Sequence, residues 1–305
     1  YSLNLIPFGG YVKIFGENPD DESINGVDKD RSFVHKNKFQ QVLVLCAGIM
    51  FNFIFACILI AIAFTAGVPA SVDSYPEYKD YMKDQHIAIT YVTVGSPADR
   101  AGLKAGDTLL SKSMDELQND INSSGTNGID IKYLRNGVES DIKVVAEKGI
   151  VEGKYAIGIA MDTVATLKLP LIQSVIESVR FTLHSIVATL VGIYGLITGM
   201  FNGSSHLSSV TGPVGIAGLV GDAARLGFTY LIMFTAIISI NLGVLNLIPF
   251  PALDGGRVFF VIIESIIRRP IKPVVANTIN ATGFALLILL MIVVTYKDIS
   301  NLFVK

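Results

Sequence analysis

Three uncharged runs of this 305-residue chain can span a bilayer: those between Lys38 and Asp73, between Arg225 and Asp254 and between Lys272 and Lys297. Their apolar cores, Val42–Ala66, Phe228–Ile248 and Ile279–Tyr296, each match the roughly 20 residues that carry a helix across a bilayer. No water-soluble fold buries that much uninterrupted apolar sequence easily. The chain as a whole is 51% hydrophobic and 16% charged, against about 25% charged in an ordinary soluble domain. Its mean hydropathy is +0.53. This composition excludes disorder, an ordinary cytosolic enzyme and a nucleic-acid binder. A net charge of −2 supplies no field to steer phosphates.

The charges are unevenly placed. Of 50 charged residues, 25 fall in 70–165, so one polar domain is inserted between hydrophobic parts. The two cysteines, Cys46 and Cys57, share one apolar run, where a helix holds them several turns apart; free thiols are expected. Lys36 and Lys38 precede the first run and place that end in the cytoplasm. Arg268, Arg269 and Lys272 follow the second run and belong on the same side. An even number of crossings between these clusters is therefore required. A fourth apolar stretch, Phe181–Met200, contains Thr182, His184, Ser185 and Thr189 and begins after Arg180. Parity makes it a helix lying against the outer membrane face.

Residues 85–162 read as a small α+β domain. Ile87–Val94 alternates like a strand, and Gly95-Ser96-Pro97-Ala98 breaks it. A short helix over Ala98–Ala101 ends at Gly102. Met114–Ser123 is amphipathic. Ile129–Arg135 and Val138–Val145 are strands joined by Asn136-Gly137, a strong hairpin signal. Asp20–Asp30 is a loop.

The chemistry concentrates between Asn241 and Gly256. Asn241, Asn246, Pro249, Pro251 and Asp254 stand at the end of a membrane run. Two prolines that close cannot both continue a helix, so the backbone opens. Opened backbone at membrane depth lines a cavity or is buried in protein, and a carboxylate there is a functional candidate. Two plainer roles stay open: Asp254 caps a helix over Arg257–Ile267, and the asparagines hydrogen-bond neighbouring helices.

The string N-x-x-P-x-P-x-L-D-G resembles the signature of the site-2 protease family of intramembrane zinc metalloproteases. Leu5-Ile6-Pro7-Phe8-Gly9-Gly10-Tyr11-Val12 resembles that family's membrane-dipping β-hairpin. Gly48-x-x-x-Asn52 and Gly212-Pro213-Val214-Gly215-Ile216 match further family segments. Gly95-Ser96-Pro97-Ala98 and Ala101–Asp107 are similar to a bacterial PDZ domain. The order is that of the regulator-of-sigma-E branch.

This resemblance implies a polytopic α-helical membrane protein with a membrane-dipping β-hairpin and an inserted PDZ-like α+β domain. Its parts are a hairpin at 1–16, a transmembrane helix at 39–69, the PDZ-like domain at 85–162, a membrane-associated helical region at 168–222 and a transmembrane core at 226–305. It implies Zn2+ as cofactor, Asp254 as a metal ligand, and Gly9, Gly10, Tyr11, Asn241, Asn246, Pro249 and Pro251 as substrate contacts. Implied partners are the lipid bilayer and single-pass membrane proteins, such as anti-sigma-factor-like proteins or signal-peptide remnants. The implied location is the cell's inner (plasma) membrane, with the PDZ-like domain on the extracytoplasmic side.

The family's H-E-x-x-H, which supplies two zinc ligands and the general base, does not occur. The chain has only His35, His86, His184 and His206, none followed by Glu and no two four apart. No catalytic residue is thus expected within the chain, and the missing helix is expected upstream of Tyr1. The PDZ-like segment also lacks the usual Asn-Gly hairpin before its helix. The competing readings are a non-catalytic, PDZ-bearing membrane scaffold and a transporter or channel subunit using the broken helix. The transporter reading lacks the paired inverted repeats it requires.

Overall fold

The computed structural model describes residues 15–16, 26–111, 113–135, 137–151, 153–201, 211–269 and 271–303. The expected hairpin over Leu5–Ile14, with Gly9, Gly10 and Tyr11, lies outside them, as does His206. The chain divides into two units. One is Ile62–Ser174; the other joins Tyr1–Ala61 to Val175–Lys305.

The second of these is helical. Its helices are α1 (Lys38–Ala66, which runs on into the other unit), α4 (Leu171–Phe201), α5 (Pro213–Leu226), α6 (Phe228–Leu247), α7 (Asp254–Ile267) and α8 (Pro273–Phe303). Among the described residues four stretches are long and apolar enough to cross a membrane: Lys38–Ala66, Leu171–Gly199, Phe228–Leu247 and Val274–Ser300. The three sequence-expected spans all form. The fourth stretch differs from expectation in extent. Its helix starts at Leu171, ten residues before Phe181, because Glu177, Ser178 and Thr182 turn one polar face inward and are buried.

Small residues let the helices approach. A methyl group on Gly243 of α6 would meet the Phe53 ring of α1 at 2.6 Å. One turn earlier, the Ser239 hydroxyl donates to the Asn52 carbonyl at 2.9 Å. The Cys57 thiol donates to the Thr182 hydroxyl of α4 at 3.2 Å, and both cysteines are free. Lys38 at the start of α1 pairs with Glu264 of α7. Asp298 of α8 accepts from the Gly215 amide at 2.8 Å. Side chains on α1 such as Phe39, Met50 and Phe51 stay exposed, as lipid-facing residues do, since hydrocarbon exacts no hydrophobic cost.

The unit Ile62–Ser174 holds β1 (Val68–Ser71), β2 (Met82–Val92), α2 (Pro97–Ala101), β3 (Thr108–Leu109), α3 (Met114–Ser124), β4 (Ile129–Arg135), β5 (Val138–Val144), β6 (Glu147–Val151), β7 (Lys154–Ala156) and β8 (Ile159–Leu167). Six strands form an antiparallel sheet in the order β1-β8-β2-β3-β4-β5, and β6–β7 is a separate hairpin. The unit is wider than 85–162 because β1 pairs with the last residues of β8, Val68 opposite Leu167 and Ser71 opposite Val164.

Ile89, Leu103, Leu117, Ile131, Val144 and Ile157 form its apolar core. Ser96 caps α2 by accepting from the Asp99 amide, and Gly102 ends it at φ 92°, the left-handed geometry that favours glycine. Asp107, nearly inaccessible, receives Arg135 Nε and Nη2, both at 2.6 Å, and the Lys104 amide at 2.8 Å. The hydrogen bond to Asp107 raises the Arg135 pKa above the ordinary arginine value.

Candidate functional site

Helix α6 stops at Leu247. Ile248 leaves the helix at φ −64°, ψ 135°, because Pro249 brings neither an amide proton nor tolerance for a helical predecessor. The Phe250 amide then bonds to the Ile248 carbonyl at 2.7 Å, and the Leu253 amide to the Phe250 carbonyl at 3.2 Å. The second bond closes a four-residue turn. Pro251 sits at its second position, and Ala252 occupies the third at φ 76°. That position normally takes glycine, and an alanine there costs about 1–2 kcal/mol.

Packing from α8 holds this strained turn. Asn280 Oδ1 accepts from the Ala252 amide at 3.3 Å. Gly283 admits Pro251, whose carbonyl oxygen lies 2.6 Å from where a glycine-to-alanine methyl would stand. Gly255 and Gly256 are buried and press the start of α7 against the carbonyls of Leu247, Ile248 and Phe250.

Asp254 is the first helical residue of α7. Leu253 is the N-cap, at φ −102° and ψ 160°, and no side chain caps this end. The capping role open to Asp254 in the sequence is therefore not the one it takes. Among the described residues nothing hydrogen-bonds or ion-pairs its carboxylate, which is half-buried.

Asn241 takes the interhelical role: its Oδ1 accepts from the Thr189 hydroxyl of α4 at 2.9 Å. Asn246 is half-buried one turn before the break. The two asparagines are five positions apart, so they stand about 140° apart on the helix and do not share a face. Sequence reasoning misses Thr189, Asn280 and Gly283. Thr189 and Asn280 carry a signal, each being polar within an apolar stretch; nothing local marks Gly283.

Among the described residues no three His, Cys, Asp or Glu side chains gather as a metal site. His35, His86 and His184 are all exposed, and His86 Nδ1 contacts the Asp84 carbonyl oxygen at 2.8 Å. The described residues therefore hold no tetrahedral ligand set of their own.

The unit Ile62–Ser174 carries its own cleft of about 490 Å³ between α3, the β6–β7 hairpin and the start of β8. Tyr91, Gln118, Asn122, Tyr155, Ile159 and Met161 line it. β1 covers only Val164–Leu167 of β8, so among the described residues Ile159–Asp162 has no strand on that side.

The sequence pattern of peptidase family M50 matches residues 1–290. The chain belongs to that family. A protein of Clostridium acetobutylicum named as a candidate zinc metalloprotease is 31% identical over 98% of this chain and 82% of its own length. One of Staphylococcus aureus with the same kind of name is 32% identical over 90% of this chain and 63% of its own. Zinc metalloprotease RasP of Geobacillus kaustophilus is 31% identical over 93% of this chain and 64% of its own. The chain thus spans less than two thirds of the latter two relatives. Membership places this chain in a family of zinc metalloproteases, and its four apolar helices make it an integral membrane protein.

Proposed function

We propose that Asp254 is the zinc ligand this chain contributes to an intramembrane protease, and that two histidines and a general-base glutamate come from a segment outside these 305 residues. One observation carries the reading. A carboxylate with no partner among the described residues stands at a proline-opened break beside a membrane helix, on a turn that α8 holds in a strained conformation. Zinc, when bound, supplies a water whose pKa falls towards about 7. The chain's own residues hold the ligand in place and present the substrate.

A substrate helix hides its amides in its own hydrogen bonds, so cleavage demands local unwinding. Asn246, the remaining amide of Asn241, the opened backbone at Pro249 and Pro251, and the residues Gly9, Gly10 and Tyr11 are proposed to receive the unwound segment. The substrates are single-pass membrane proteins, of the anti-sigma-factor or signal-peptide-remnant kind. The location is the inner membrane, with residues 85–162 a PDZ-like domain on the extracytoplasmic side. There the uncovered edge of β8 accepts extended peptide by strand addition. Charge parity between Lys36, Lys38 and Arg268, Arg269, Lys272 favours Phe181–Met200 lying along the outer face.

The test expresses the 305 residues, and separately a longer protein including an upstream H-E-x-x-H helix, with a single-span reporter. The longer protein should cut within the span, and a zinc chelator should stop it; the 305 residues should not cut. Comparable chelator-sensitive cleavage by the 305 residues would place the ligands elsewhere and overturn the reading.

A further inference from the structure

The unit Ile62–Ser174 contains a ladder of aromatic rings that no catalytic or peptide-binding role uses. Phe64, in the last turn of α1, meets Tyr75 edge-on with ring centres 6.2 Å apart. Tyr75 meets Tyr78 at 6.5 Å, and Tyr78 meets Tyr81 at 6.3 Å. The three tyrosines lie on and beside the 3-10 stretch Pro76–Tyr81. The far end of the ladder reaches the first turn of α4, where Gln173 Nε2 contacts the Tyr81 hydroxyl at 3.5 Å.

The ladder therefore runs from the end of one bilayer-length helix to the beginning of another. Backbone bonds pin the two ends together: the Leu169 amide donates to the Phe64 carbonyl at 3.0 Å, and the Lys168 amide to the Tyr81 carbonyl at 3.2 Å. Helix α1 has 29 residues, about 43 Å at 1.5 Å per residue, whereas the hydrocarbon core is about 30 Å thick. Its ends therefore lie at headgroup level. Ile62 remains 46% exposed within the last turns of α1, and Leu171 and Ile172 are 70% and 76% exposed at the start of α4. The apolar surface of both helices thus continues to the ladder. Tyrosine, with an apolar ring and a polar tip, suits this level. The tyrosines are half-buried, while Glu77, Lys79 and Asp80 between them are exposed, giving one aromatic side and one charged side.

We propose that the Tyr75–Tyr78–Tyr81 face docks on the lipid headgroup region and anchors this domain to the bilayer surface. The occupant is the membrane itself, because the face is continuous with exposed Ile62 in the last turns of α1 and with exposed Leu171 and Ile172 in the first turn of α4. The proposal rests on membrane insertion and is independent of where zinc binds.

The chain has no tryptophan, so a single Tyr78→Trp variant carries its own reporter. The 305-residue chain is reconstituted in phosphatidylcholine vesicles containing phosphatidylglycerol, with bromine on the acyl chains near the headgroup, at mid-chain or at the chain end. Tyr91→Trp is the comparison, lying about 30 Å along β2 from Tyr81 at 3.3 Å per residue. Trp at 78 should be quenched several-fold more by headgroup-proximal bromine than by chain-end bromine, and Trp at 91 should not be quenched. Tyr75→Trp repeats the measurement should the first variant misfold. Trp at 78 and 75 as unquenched as Trp at 91, or quenched most by chain-end bromine, would overturn the proposal.

Discussion

Gly283 of α8 and Pro251 of the turn before Asp254 touch so closely that a methyl on the glycine would lie 2.5 Å from the proline Cβ and 2.6 Å from its carbonyl oxygen. The last membrane helix thus acts as a backstop for the turn that delivers the candidate zinc ligand. A chain break at two prolines would otherwise leave that carboxylate without a fixed position.

Gly283→Ala should therefore destabilise the protein by about 1–3 kcal/mol, the usual result of forcing volume into a packed contact. Gly218→Ala is the control: the space beside that α5 glycine is open, and alanine should stabilise its helix by about 0.5–1 kcal/mol. Unfolding of both variants in the same detergent checks the pair. Equal behaviour would mean that Gly283 is not a contact residue.

Ala252, at φ 76°, bears a conformation that glycine adopts without cost. Ala252→Gly should stabilise the folded chain by up to about 1 kcal/mol, less whatever the freer unfolded glycine takes back. Ala252→Val should destabilise it, since a β-branched residue is a poor fit there. The order Gly, Ala, Val in unfolding midpoint is the readout, and a reversed order would contradict the strained turn.

Arg135→Ala should unfold the β domain under conditions where the rest of the chain survives. It leaves the Asp107 carboxylate, 2% exposed, without its cation, a loss of about 3–5 kcal/mol for a broken buried pair. Arg135→Lys should not rescue it, because a point charge cannot replace two parallel hydrogen bonds. The raised Arg135 pKa means its contribution is complete below the unfolded arginine value and lost only as pH rises through the still higher folded value. This bridge should therefore show no weakening from arginine titration at neutral pH. Limited proteolysis within Ile62–Ser174 reports the outcome.

What the sequence discloses and what it hides follow from range. Uncharged runs place α1, α6 and α8, because hydropathy is summed locally. Gly102 and the prolines at 249 and 251 mark their own turns for the same reason. The pairing of Val68–Ser71 with β8 stays hidden because it joins residues nearly a hundred positions apart, and Pro69 disguises the strand. The polar face of α4 hides its first turns: Glu177 and Arg180 look like solvent residues until the fold buries one of them. Asp254 is legible as a chemical candidate, but its freedom from capping depends on where α7 starts, at Asp254 and not at Arg257, a three-residue difference that no pattern resolves.

The central claim is that Asp254 binds zinc and does not merely start a helix. Zinc content of the longer protein that includes an H-E-x-x-H helix, purified with Asp254 or with Asp254→Asn, tests it most directly. Aspartate should give close to one zinc per chain, and asparagine a loss of at least tenfold in zinc affinity, while helix content stays the same. Unchanged zinc stoichiometry and affinity in Asp254→Asn would contradict it.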